Sequence, residues 1–374
     1  MSRQLHRYDA LWQGLTIAML MAALPLVGIL AAGYDLLPYL EIPPTTRYVQ
    51  HAGFSWPWFV FFATANLLLM GGLAVALVYG RVNTRKMVPK PLPPTPFPWW
   101  GWAGLVLCLV FWVFAWHRFT WFQPLQRHTF QPLWTGFIFF ICALVVKRSG
   151  SCLLVRRPLK FLLLFPASAV FWWVFEYFNR FVQNWYYTGV EDMTPGEYSF
   201  FSTLAFATVL PAVISMTELL LTFPSLSKGL AHGRAVRLPA SVWLPRITLA
   251  VSAIGLAMIG IFPDQLFALL WVSPLLIILS LQALAGRPTL LMPLRNGDWR
   301  PLVVPALAAL ICGFFWELWN FYSLARWTYA VPFVQRFLIF EMPIVGFGGY
   351  LPFGLECLVA GSMVVGNLFN FQNH

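Results

Sequence analysis

The chain has 374 residues, 59% of them hydrophobic and only 10% charged, with a formal net charge of +11 and a mean hydropathy of +0.71. So few charges cannot cover a soluble globule of this length, which excludes a water-soluble enzyme and leaves a polytopic membrane protein. The positive balance requires no nucleic acid as partner, because cytoplasmic loops of membrane proteins collect Lys and Arg.

Runs of about 20 apolar residues cross the hydrocarbon at about 1.5 Å per residue. They predict an all-α fold of ten transmembrane helices, near 13–33, 55–80, 98–117, 130–147, 160–182, 200–223, 242–263, 265–285, 301–323 and 338–366. The first follows a short basic stretch but is longer than the roughly 7–15 residues of a signal-peptide core, so an uncleaved span is expected. Residues 1–80 form two N-terminal helices. Residues 81–97, with Pro89, Pro91, Pro93, Pro94 and Pro96, predict a stiff cytoplasmic linker.

Five segments hold 18 of the 24 basic residues: Arg3 and Arg7; Arg81, Arg85, Lys86 and Lys90; Lys147, Arg148, Arg156, Arg157 and Lys160; Lys228, Arg234, Arg237 and Arg246; Arg287, Arg295 and Arg300. They fall on alternate sides of the helix count, as a single orientation requires. The expectation is a multi-pass protein of the bacterial inner (plasma) membrane with both termini cytoplasmic, in contact with anionic membrane lipids. Asp35, Glu41, Glu191, Asp192, Glu197 and Asp264 then lie outside, with Glu176, Glu317 and Glu341 at the outer helix ends.

One message is written twice. Phe175-Glu176-Tyr177-Phe178-Asn179, Trp185-Tyr186-Tyr187 and Leu210-Pro211 are matched, about 141 residues later, by Trp316-Glu317-Leu318-Trp319-Asn320, Trp327-Thr328-Tyr329 and Leu351-Pro352. Phe130 to Trp134 aligns with Phe267 to Trp271 at nearly the same offset. The chain therefore reads as a duplicated four-helix unit, 98–223 and 240–366. Four helices is an even number, so the copies enter the membrane alike, as parallel repeats about an axis along its normal.

A carboxylate in an apolar span is costly and marks a functional site. Asn179 and Asn320, three residues after each acid, share its helix face and are placed to orient it; the alternative is a polar clasp between helices. Arg180, one turn after Glu176, is placed to neutralise it, whereas Phe321 stands at the matching position beside Glu317. That difference selects Glu317 as the acid, with Asn320 orienting it and Glu341 as partner or base, and leaves Glu176, with Asn179 on its face and Arg180 as its neutralising partner, as the structural copy. Glycine and proline between Glu341 and Pro352 predict an interruption of the last helix, either beside a cavity or as a close-packing face. Glu356 and Glu218 are further deep acids.

Trp185, Tyr187, Trp319, Trp327 and Tyr329 belong to an aromatic belt at the interface or to the wall of a substrate pocket, to which Glu356 and Glu197 would add polar contacts. The five cysteines show no paired spacing and read as packing residues. Six scattered histidines and the absence of a P-loop, GxGxxG or HExxH give no metal site and no cofactor.

The tandem motifs resemble the membrane-integral lycopene cyclase domain of carotenoid biosynthesis. The elements that carry the likeness are a helix ending in a carboxylate, a following Trp, a loop, and then Pro195-Gly196-Glu197-Tyr198-Ser199-Phe200-Phe201, with Phe340-Glu341-Met342-Pro343 in the second copy. The resemblance implies acids that protonate a polyene and guide ring closure with no redox change. Single acids stand here where the family carries an adjacent Glu pair. The leading expectation is an enzyme doing acid–base chemistry on an apolar, isoprenoid-like lipid from the outer leaflet. The alternatives are a proton- or cation-coupled transporter or channel, and a non-catalytic scaffold.

Overall fold

The structure, a computed structural model, describes residues 2–44, 46–85, 95–237, 241–366 and 368, with the backbone alone for 2–13. Most of the proline-rich linker lies outside the described residues, as does the stretch after 368. Among the described residues eleven α-helices longer than two turns carry the fold: α1 (Ser2–Ala31), α2 (Trp56–Arg85), α3 (Trp99–Trp116), α4 (Phe130–Ser149), α5 (Pro158–Val182), α6 (Pro195–Phe206), α7 (Val209–Leu221), α8 (Trp243–Met258), α9 (Ser273–Leu284), α10 (Arg300–Phe321) and α11 (Tyr350–Val365). Among the described residues eight segments are long and apolar enough to cross a membrane. The pair Pro263–Trp271 and Ser273–Leu284, bent by 51°, makes a ninth if counted as one, and α8 is apolar but shorter.

Two expected helices are built differently. The run 200–223 is split at Ala207 and Thr208 into α6 and α7, whose first part starts earlier, at Pro195, under a capping box formed by Thr194 and Glu197. The run expected as a helix from 338 opens instead as a small antiparallel hairpin, β3 (Leu338–Ile339) with β4 (Met342–Pro343), followed by a 3-10 stretch, Ile344–Gly349. Phe337 and Phe340 have φ of 55° and 56°, which no helix accepts. Glu341 therefore sits in a hairpin turn and not at a helix start, and the helix begins only at Tyr350.

Packing follows a reciprocal pattern. α3 pairs with α4 and α8 with α9; α5 packs on α7 and α10 on α11; then α10 also packs on α7, and α5 on α11. Trp134 of α4 lies 5.0 Å, ring centre to ring centre, from Trp316 of α10, while Trp271, just before α9, stacks at 5.2 Å on Phe175 of α5. The aromatic side chains of each half thus fill the other half's core. α1 packs on α8 and α5, and α2 on the 344–349 stretch.

At one end the halves join through backbone. β1 (Trp185–Thr188) pairs antiparallel with β2 (Arg326–Tyr329), Trp185 opposite Tyr329, Tyr186 opposite Thr328 and Tyr187 opposite Trp327. The two Trp and two Tyr of the matching motifs exchange places across a centre at Tyr186 and Thr328, which is a local two-fold relation. After β1 the chain turns at Gly189, φ 75°, where a Cβ would stand 2.2 Å from the Leu324 carbonyl oxygen.

Candidate functional site

α5 ends where Gln183 adopts the left-handed conformation (φ 48°), releasing the chain into β1. Asn179 fixes the exit: its Oδ1 accepts from the backbone N–H groups of Asn184 (2.8 Å) and Trp185 (3.3 Å), and its Nδ2 donates to the Trp185 carbonyl (2.7 Å). Asn320 does the same with Trp327, accepting from its N–H at 2.9 Å and donating to its carbonyl at 2.7 Å. The amides thus pin the strands, and the acids are oriented through them by the side chains the strands carry. Direct orientation of Glu by Asn, expected from the spacing, is replaced by this indirect route.

Glu176 and Glu317 are both wholly buried. Glu176 Oε1 accepts from Trp172 Nε1 (3.0 Å), Trp185 Nε1 (3.0 Å) and the Tyr187 hydroxyl (2.6 Å). Glu317 Oε1 accepts from the hydroxyls of Tyr329 (2.7 Å) and Tyr350 (2.9 Å), and Trp327 Nε1 donates to the Tyr329 oxygen at 3.0 Å. In each acid Oε2 has no hydrogen-bond partner among the described residues. Burial, together with the adjacent carboxylate, pushes the Tyr187 and Tyr329 phenols well above their ordinary 10.0, so both stay neutral and able to donate.

The two sites differ by one exchange. Trp172 stands four residues before Glu176, and Gly313 four before Glu317; Val209 precedes Leu210-Pro211, and Tyr350 precedes Leu351-Pro352. A Cβ on Gly313 would lie 2.4–2.6 Å from the Tyr350 ring. The second site therefore replaces an indole from the third helix by a phenol from the fourth, and glycine makes the room.

A cavity of about 350 Å³ lies between the halves. Its wall includes Trp172, Trp185 and Tyr187 from the first acid's donors and Tyr329 and Tyr350 from the second's, with Trp327 behind Tyr329. The remainder is mostly apolar, from Phe62 and Leu69 of α2 to Phe353 of α11; its polar members include Arg127, Arg326, Ser202, and Asn66, Gln131 and Asn184, the last three with side-chain carbonyl oxygens buried without a partner among the described residues.

Of the residues expected at the site, Trp185, Tyr187, Trp327 and Tyr329 line the cavity, and Glu176 and Glu317 stand behind them. Trp319 does not; it packs against Trp134, Phe137 and Phe315, and Trp316 lines the cavity instead. Glu197 is the exposed capping residue of α6, accepting from the Thr194 N–H at 2.9 Å. Glu356 is buried and accepts from the Leu275 N–H (3.2 Å), bridging the start of α9 at the bend. Glu341 approaches Arg326 at 3.7 Å rather than hydrogen-bonding to Glu317. Arg180 turns away from Glu176, donating to the carbonyls of Tyr39 and Glu41 (2.9 Å for the latter). Among the described residues neither acid thus has a basic partner, and the expected contrast between a neutralised and a free copy gives way to the contrast between indole and phenol. Glu218 pairs with Arg156 at 2.5 Å, away from the cavity. Sequence reasoning missed Trp172, Tyr350, Asn66 and Arg127; the Trp172/Gly313 mismatch between otherwise matching motifs was the available signal.

Helices of this length and apolarity, with buried acids at the joint of two halves, define a multi-pass membrane protein with an internal cavity. Comparison with protein-family models, curated proteins and solved structures finds no match, so the likeness to the cyclase domain rests on the motifs alone.

Proposed function

We propose that the chain is an integral membrane enzyme performing acid–base chemistry on an apolar, isoprenoid-like lipid held between two copies of a duplicated four-helix unit. The observation that carries this reading is that one mostly apolar cavity is walled by hydrogen-bond donors of both buried carboxylates. A phenol both donates and accepts. A proton passed from Tyr329 or Tyr350 to one carbon of a double bond is replaced from protonated Glu317 behind it; the cation then loses a proton from a neighbouring carbon, directly or after a second double bond of the same chain has attacked it and closed a ring, and that proton goes to the Tyr187 oxygen as the phenol passes its own to the Glu176 carboxylate. The net change is a shifted double bond or a closed ring, at constant mass. The faces of Trp172, Trp185 and Trp316 are suited to stabilising the cation between these steps.

The duplication is supported by the matching motifs, the reciprocal helix packing and the symmetric register of β1 with β2. In this reading α8 and the bent segment 263–284 complete ten spans, both termini are cytoplasmic, and the cavity lies towards the outer leaflet of a bacterial plasma membrane. The motif likeness to the cyclase domain makes a polyene the first substrate to try.

The test is chromatography with absorbance and mass detection of total lipids from a carotenoid-producing bacterial host. Wild type is expected to yield a new apolar species of unchanged mass that Glu317→Gln does not. Full activity in Glu317→Gln would remove that acid from the mechanism. Identical profiles from well-folded proteins would refute the enzyme and favour a proton- or cation-coupled carrier, the reading suggested by the 51° bend held by Glu356. Such a carrier shows proton-linked uptake in proteoliposomes and leaves lipids unaltered. A scaffold, suggested by the strand-pinning asparagines, shows neither.

A further inference from the structure

The reading above places a lipid in the cavity without saying what its head is. Among the described residues only two charged side chains contribute to the cavity wall, Arg127 and Arg326, and no acid does. Arg127 comes from the 3-10 stretch Thr120–His128 that leads into α4, and Arg326 opens β2. The ring of Phe130, at the start of α4, lies 6.0 Å from that of Trp327, so both arginines belong to the strand-bearing end of the cavity. The wall formed by Phe62, Leu69 and Val272 is apolar except for the uncharged Asn66.

Each guanidinium is half-engaged. Arg127 Nη2 meets Asp192 at 2.5 Å, but that carboxylate is 73% exposed and outside the cavity wall. Arg326 Nη1 donates to the Phe321 carbonyl at 2.7 Å and is 3.7 Å from Glu341, beyond hydrogen-bond length. A guanidinium carries five donors in a planar fork that matches the oxygens of a carboxylate or phosphate. Arg118, just outside the wall, adds a third cation, close enough to Arg326 that their repulsion helps to lower its own pKa, after burial. An apolar chamber whose only wall charges are two forked cations at one end is complementary to an amphiphile with an anionic head.

From this we infer that the cavity takes a chain ending in an oxyanion, phosphate or carboxylate, with the head between Arg127 and Arg326 and the chain running towards Phe62 and Leu69. The inference rests on the lipid reading of the cavity. It makes Arg127 and Arg326 determinants of head-group choice, distinct from the phenols that face the chain.

The experiment is native mass spectrometry of the full chain in nanodiscs of phosphatidylcholine, titrated in parallel with dodecyl phosphate, dodecanol, dodecyltrimethylammonium and inorganic phosphate. Dodecyl phosphate is expected to bind at least about tenfold more tightly than dodecanol, the strength of one or two charge-assisted hydrogen bonds, and the ammonium compound less tightly than dodecanol. In Arg326→Gln that preference should fall towards unity, while Arg326→Lys, which keeps the charge and loses the fork, should retain part of it and confirm the fold. Equal binding of dodecyl phosphate and dodecanol, or an unchanged preference in Arg326→Gln, overturns the head-group inference and spares the lipid reading. Tight binding of inorganic phosphate alone overturns it in favour of a free anion. Failure of every amphiphile to bind overturns both.

Discussion

Gly313 is the position at which the two buried acids are told apart, and its substitution tests that reasoning without any assay of activity. A Cβ there meets the Tyr350 ring at 2.4–2.6 Å, well inside contact, so a large side chain overpacks the site at a cost of about 1–3 kcal/mol or more. In Gly313→Ala the better helix propensity returns roughly 0.5–1 kcal/mol, leaving a net loss of about 0.5–2 kcal/mol. Tyr350→Val removes a ring and one of two donors to Glu317, an expected loss of roughly 3–5 kcal/mol by analogy with large-to-small core changes. The double variant Gly313→Trp with Tyr350→Val reconstructs the arrangement around Glu176, with an indole from the third helix and Val on the fourth. It should be more stable than the sum of the single changes predicts by about 1–3 kcal/mol. Reversible unfolding in mixed detergent, titrated with a denaturing detergent, gives all four corners of the cycle. Additivity to within about 0.5 kcal/mol would show that the two residues do not share one space, and would refute the equivalence of the sites.

Asn179→Leu and Asn320→Leu each leave backbone groups of a pinned strand without partners, at an expected loss of about 1–3 kcal/mol per site, read from the same unfolding curves. Gly354→Ala brings a Cβ to 2.1 Å from the Pro305 carbonyl oxygen; it should part α10 from α11 and lower the midpoint of thermal unfolding, whereas an equivalent change at Gly71, which meets nothing within 4 Å, should not. His128 stacks at 3.8 Å on Phe201, and burial with Arg127 beside it holds its imidazole below the ordinary 6.5. A lowered folded pKa favours the neutral ring, so its contribution is present above pH of about 6.5 and is lost as pH falls through the folded value. Wild type should therefore lose stability between neutral and mildly acidic pH by an amount that His128→Phe reduces.

Much of the helical layout was legible because a span must present about 20 apolar residues, and α2, α3, α4, α5 and α10 begin and end within a few residues of their expected bounds. The last segment was not, because its hydropathy is that of a span while its backbone turns at Phe337 and Phe340, and phenylalanine gives no warning of a positive φ. The acids and the strand residues Tyr187 and Tyr329 were visible as a repeated motif. Tyr350 was not, since its counterpart is Val209 and its role in the second copy is filled by Trp172 in the first; a comparison that looks for sameness passes over an exchange. Arg180 was misread for a related reason. Spacing puts it on the face of Glu176, but its long side chain reaches out to the carbonyls of the 39–41 loop instead.

The strand pair at the joint of the halves carries a historical consequence. Two strands that meet antiparallel around a local two-fold centre are what two identical chains make when they share a sheet edge. On the proposed duplication, an ancestral half-length chain had no closed cavity of its own, and assembled one only as a homodimer whose subunits exchanged tryptophans and zipped their strand segments together. In such an ancestor every substitution appeared twice, so one acid could not receive an extra phenol without the other receiving it too. On the same proposal, joining the two copies lifts that restriction, and Trp172 with Val209 alongside Gly313 with Tyr350 is a difference that a homodimer could not hold.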